Sequence, residues 1–282
     1  MIRLFNSIGF IIIALLVIFS CEPPENDEVE VECDPLFDPN CGSAEYNPET
    51  TIIVPSSPVN TSSISISWEG GIAFSQFSYR LLPLSYGDNP INLYIDWSDW
   101  SPDTAVTLEQ LDEGDYNFYV KSRFGDTEEA NPDLVSFTID AITGPALHIY
   151  PLRQEVTPNS SFDVDIYLEE IESVENIIFL KIYIDFNPEF LTYAGFEKNA
   201  GEYDLSLFPS PTNETSQIII EGGLLGSNIS GTGPIGKLTF VTNPQAETAQ
   251  INISESTFYM LGSSNDTLTF SSTVGGLIQV GQ

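Results

Sequence analysis

Residues able to do catalysis are sparse in this chain. Its one histidine, His148, lies in the run ALHIYP with no second histidine and no cysteine near it in sequence. A His-based metal site or a Ser-His-Asp triad would have to be assembled around that residue alone. Carboxylates are plentiful, 41 against 8 bases, so some pair falls at glycosidase spacing by chance, and abundance alone makes neither a cleft nor a raised pKa. No GxSxG, HExxH or P-loop sequence occurs. GTGPIG, at 231–236, is glycine-rich but runs into a strand pattern and lacks the lysine that holds phosphate. The chain reads as a binder, not an enzyme, with no cofactor required.

The cysteines carry the other chemistry. Cys21 follows Arg3 and an apolar run from Ile8 to Phe19, a stretch of about a dozen residues where a bilayer span needs about twenty. It therefore reads as a secretory leader. Cys33 and Cys41, in VECDPLFDPNCGS, are the even pair left over in an exported, oxidising setting, and a local disulfide is expected. The same stretch holds Asp34 and Asp38, side chains of the type calcium takes, at a spacing unlike the EF-hand loop. Calcium stays open as a ligand.

The end of the leader, Ile18-Phe19-Ser20-Cys21, resembles the lipobox of bacterial lipoproteins. That resemblance implies cleavage before Cys21 and its acylation, with residues 1–20 as signal peptide. Two or three acyl chains, at about 0.8 kcal/mol per buried CH₂, anchor a protein without a spanning helix. Residues 21–50 are then an acidic, proline-rich tether holding the rest off the membrane of a bacterial envelope, on the outer membrane or cell surface.

A net charge of −33, with the bases scattered along the sequence, excludes nucleic acid as a partner and repels the body of the protein from an anionic membrane surface. Membrane contact is expected through the acyl anchor only.

From Thr51 onward, short alternating runs are broken by Gly, Pro, Asn and Ser, with no sustained helical stripe. Two all-β sandwiches are expected, at 51–142 and 146–282. In the first, SISISWEG places Ile64, Ile66 and Trp68 on one face, and Leu111, Gly114 and Tyr116 precede alternating Phe118 and Val120. LxxGxY entering a strand is the mark of a tyrosine corner. With the strand tryptophan, this half resembles a fibronectin type III or related immunoglobulin-like domain.

WSDWS, Trp97 to Ser101, has the letters of the cytokine-receptor box but precedes the tyrosine-corner strand instead of following it. The receptor reading is set aside. Trp97 and Trp100 are left as sugar-stacking platforms or as packing against the sandwich.

In the second half, SFDVDIYL alternates Phe162, Val164, Ile166 and Leu168 with Ser161, Asp163, Asp165 and Tyr167, and IIFLKIYIDF ends in Phe186-Asn187-Pro188-Glu189-Phe190-Leu191. QIIIEGG, GTGPIGKLTFV and GGLIQVGQ follow in order. This layout resembles a cohesin domain over essentially all of 146–282, with a jelly-roll-like sandwich implied. Cohesins bind dockerin modules carried by polysaccharide-degrading enzymes and share their fold with carbohydrate-binding modules. Where the best-known cohesins place an Asn and an Asp on the recognition strand, this chain has Phe179 and Lys181. The contact would therefore be made by other side chains, and the face bearing Lys181, Tyr183 and Asp185 is the expected one.

The expected function is a lipid-anchored scaffold that holds a dockerin-bearing protein. Direct polysaccharide binding, and a structural or adhesive role in the envelope, are the alternatives.

Overall fold

The computed structural model describes residues 48–85, 96–172, 177–199, 212–213, 215–223, 230–245, 247–254, 259–262, 267–268 and 270–281. Every regular element among them is a strand. The signal peptide, most of the tether and all three cysteines lie outside the described residues.

The first half contains β1 (Thr50–Ile53), β2 (Ile64–Gly70), β3 (Gln76–Ser85), β4 (Ala105–Leu108), β5 (Gly114–Phe124), β6 (Thr127–Glu128) and β7 (Asp133–Ile139). One sheet runs β1-β2-β4; the other joins β3, β6 and β7 to β5. Between them lies a core of Ile64, Ile66, Trp68, Leu81, Phe118, Val120 and Phe137, fed by the period-two alternation of β2 and β5. Trp68 packs within about 6 Å of the Phe77, Tyr79 and Phe118 rings. The Tyr116 hydroxyl donates to the Asp112 carbonyl at 2.8 Å, the backbone tie expected of a tyrosine corner. At the start of β1, where Thr50 pairs with Gly70, the buried Glu129 carboxylate accepts from the Thr50 N–H and hydroxyl.

The second half contains β8 (Ala146–Tyr150), β9 (Arg153–Val156), β10 (Ser161–Ile171), β11 (Ile177–Phe186), β12 (Leu191–Lys198), β13 (Thr212–Asn213), β14 (Gln217–Gly223), β15 (Gly231–Thr242), β16 (Thr248–Ile253), β17 (Tyr259–Gly262), β18 (Thr267–Leu268), β19 (Ser272–Val274) and β20 (Gly276–Val280). One sheet runs β12-β15-β10-β8-β19, and the facing sheet runs β13-β14-β11-β16-β20-β9 with β17 and β18 beside β11. Two pairs are parallel, β8 with β19 and β9 with β20. The core takes Leu147 and Ile149 from β8, Phe162, Val164, Ile166 and Leu168 from β10, Leu180, Ile182 and Ile184 from β11, and Leu238 and Phe240 from β15.

One expectation is corrected. Alternation groups Tyr167 with Ser161, Asp163 and Asp165, on the face opposite Phe162 and Val164, yet it is buried, 7% exposed. The β10–β15 register shifts between Ile166 and Tyr167, and the phenol packs against His148 and Tyr150 of β8. All five residues of β8 are buried, so both of its faces are covered.

Candidate functional site

β11 lies inside its sheet, between β14 on one side and β16 and β17 on the other. Its alternation is clean: Leu180, Ile182 and Ile184 are fully buried, while Lys181, Tyr183 and Asp185 stand half-exposed on the opposite face. The structure thus brings together the three residues picked out from the sequence.

Their neighbours complete the surface. Lys181 faces Glu221 of β14, with Nζ 3.2 Å from Oε2, and its ammonium lies 5.5 Å from the centre of the Tyr183 ring. Hydrogen bonding to Glu221, and then to Tyr183, holds the Lys181 pKa above the ordinary lysine range. Asp185 accepts from Gln217 Nε2 at 2.7 Å and from the Ser254 hydroxyl. Half-exposed Ile219, opposite Tyr183, sets an apolar side chain between the two polar groups. Glu221, Gln217, Ile219 and Ser254 were not singled out in sequence; only the β11–β14 register reveals them.

At the Asp185 end, the face opens into a concavity of about 490 Å³ lined by Asp185, Asn187, Phe190, Gln250 and Asn252 among others. Its rim is the Phe186–Leu191 turn. Asn187 organises that turn, its carbonyl accepting from Phe190 and Leu191 and its side chain from the Glu189 N–H. Asn243 Nδ2 donates to the carbonyls of Pro188 and Glu189. A flat, mixed polar and apolar face with a structured turn at one end suits contact between macromolecules.

His148 is fully buried, with Nε2 3.3 Å from Glu169 Oε2. Among the described residues no cluster of three His, Cys, Asp or Glu side chains could hold a metal ion.

Trp97 and Trp100 lie on the outer face of the β3–β5 sheet. Ser98 and Ser101 tie their segment to β3: Ser98 donates its N–H to the Tyr79 carbonyl at 2.8 Å, and Ser101 and Phe77 exchange backbone bonds at 2.7 and 2.9 Å. Lys121 and Arg123 leave the same face of β5, about 7 Å apart, and Arg80 of β3 sits opposite Tyr119. The indoles interleave with them. Arg80 Cζ and Lys121 Nζ each lie 4.8 Å from the Trp97 ring centre, and Lys121 Nζ and Arg123 Cζ lie 4.9 and 4.5 Å from that of Trp100. A sugar stacking on either ring would have to displace a cation. Bases that look scattered in sequence are thus gathered by strand pairing.

Neither a protein-family model nor a curated relative matches the chain. Among solved structures it is similar to the sixth cohesin of Acetivibrio cellulolyticus scaffoldin B, solved in complex with a mutant Cel5 dockerin, at 19% identity and TM-score 0.44 over 49% of this chain and 100% of that one. It is also similar to the cohesin CaCohA2 of Clostridium acetobutylicum, at 15% identity and TM-score 0.41 over 49% of this chain and 96% of that one. A non-cellulosomal cohesin from the archaeon Archaeoglobus fulgidus gives 12% identity and TM-score 0.41 over 49% of this chain and 91% of that one.

Proposed function

We propose that this chain is a lipid-anchored binding protein of a bacterial envelope whose second sandwich holds a dockerin-type partner in polysaccharide degradation. Cys21 carries the acyl anchor, and Cys33 and Cys41 close a disulfide loop within the acidic tether. The immunoglobulin-like first sandwich acts as a spacer, and the cohesin-like second sandwich presents the binding face.

The observation that carries the reading is the outward face of β11. It offers a cation paired with Glu221, an aromatic ring at Tyr183, a carboxylate held by Gln217 and Ser254, and an apolar contact at Ile219. Tyrosine at the centre of such a face is a favoured anchor in protein recognition. The ordered cohesin-like elements of 146–282 supply the partner class. The dockerin seen with the scaffoldin B cohesin belongs to that protein.

The test is isothermal titration of the mature chain, carrying Cys21→Ser for solubility, with purified dockerins and with soluble polysaccharides. Dockerin binding at about micromolar Kd or tighter, with no heat from the glycans, is expected. Glycan binding without dockerin binding would replace this reading with a carbohydrate-binding one; silence in both would leave a structural role.

A further inference from the structure

The corner before β5 is where the two sandwiches meet. Glu113 Oε1 accepts the backbone N–H groups of Ala141 at 2.7 Å and Ile142 at 2.6 Å, just after β7. The preceding residue, Asp112, accepts the Leu152 N–H on Oδ1 at 2.6 Å, just after β8. Two adjacent carboxyls therefore bind three main-chain amides, two on the exit from the first sandwich and one inside the second. Ile142, Ala146 and Leu152 form a small apolar cluster at the same place, and Tyr116 holds the corner through the Asp112 carbonyl.

The charges at this junction are one-sided. Asp112 is 1% exposed, and its Oδ2 is buried with no hydrogen-bond partner among the described residues. Glu113 faces it on the same corner, and Glu113 is itself faced by Glu169 from β10 and Asp140 from the exit of β7. The Tyr116 and Tyr150 phenols complete the surroundings. His148 is engaged with Glu169, and Arg153, next to Leu152, sends its guanidinium to Glu155 and Gln279. An ionised Asp112 would thus carry a buried oxygen with neither donor nor counter-ion, a costly arrangement that a neutral carboxyl avoids.

The geometry points to a proton-dependent latch: Asp112, when protonated, clamps the second sandwich to the corner through Leu152 while Glu113 fixes the exit at Ala141 and Ile142, and ionisation of the two carboxyls draws water in and opens the Asp112–Leu152 contact. Burial is the main cause pushing Asp112 up to about 8 and Glu113 up to about 7. The latch is therefore closed in mildly acid solution and opens as pH rises through 7 to 8. The angle at which the second sandwich is displayed would follow the acidity around the cell.

The experiment is residue-resolved amide exchange on the mature chain, with protection factors corrected for intrinsic rate, at pH 6 and pH 9. Protection of Leu152 should fall at least tenfold more than that of Ile182 in the core of the second sandwich. In Asp112→Asn, which keeps an acceptor for Leu152 but cannot ionise, that excess fall should vanish. Equal behaviour of Leu152 and Ile182 in the wild type, or the same excess fall in the variant, overturns the latch. If Asp112→Asn does not fold, the carboxyl carbon shift of Asp112 in the wild type decides: a midpoint above about 6.5 supports it, and one near the ordinary aspartate value of about 4 overturns it.

Discussion

Lys181 and Glu221 stand opposite each other on β11 and β14, Nζ to Oε2 3.2 Å, with their side chains 24% and 46% exposed. An ion pair this open to water adds little to folding. Charge can therefore be changed there without unfolding the sheet, whose stability comes from Leu180, Ile182 and Ile184 on the other face.

Tyr116→Phe removes the bond to the Asp112 carbonyl while leaving the ring stacked on Phe137. A loss of about 1 kcal/mol in urea unfolding is expected, and a change below about 0.3 kcal/mol would show that the corner is held by packing alone.

Lys121→Met takes the cation from between Trp97 and Trp100 and breaks its 2.8 Å pair with Glu128. The expected cost is about 1 to 2 kcal/mol. In a double-mutant cycle, Trp100→Ala should cost less in the Lys121→Met background than in the wild type. Additive costs would mean that the stack is not a coupled unit.

Acidity should govern stability as well as orientation. Asp112 and Glu113 keep protons that the unfolded chain sheds near pH 4, so the stability they lend is full below that value and is lost as pH rises through about 7 to 8. The urea midpoint should be higher at pH 5 than at pH 8.5. Asp112→Asn with Glu113→Gln should narrow the gap, measured in about 0.5 M salt to screen the repulsion within a chain of net charge −33. An undiminished gap would place the pH dependence elsewhere.

The fold was legible in sequence wherever alternation and local spacing decide structure. Phe162 to Ile166 and Lys181 to Asp185 sort by parity, and the Tyr116 hydroxyl bonds a carbonyl four residues upstream, as a tyrosine corner requires. What sequence could not show depends on residues far apart in the chain. Tyr167 follows parity on paper but is buried because a register shift and the β8 rings cover it. Arg80, Lys121 and Arg123 form one stack with WSDWS only once β3 pairs β5. Asp112, an ordinary turn acid by type, becomes the junction acceptor because Leu152, 40 residues on, is folded against it.

Cys21→Ser should move the protein from the membrane to the soluble fraction on cell fractionation. A protein that stays with the membrane would contradict the acyl anchor.

The central claim is that the outward face of β11 is where a dockerin is held. Titrating one purified dockerin that binds the mature chain into the Lys181→Glu variant tests it most directly, with circular dichroism and unfolding confirming an intact sheet. The predicted result is a loss of at least tenfold in affinity, about 1.4 kcal/mol, with stability unchanged within about 1 kcal/mol. Unaltered affinity in a folded variant would contradict it.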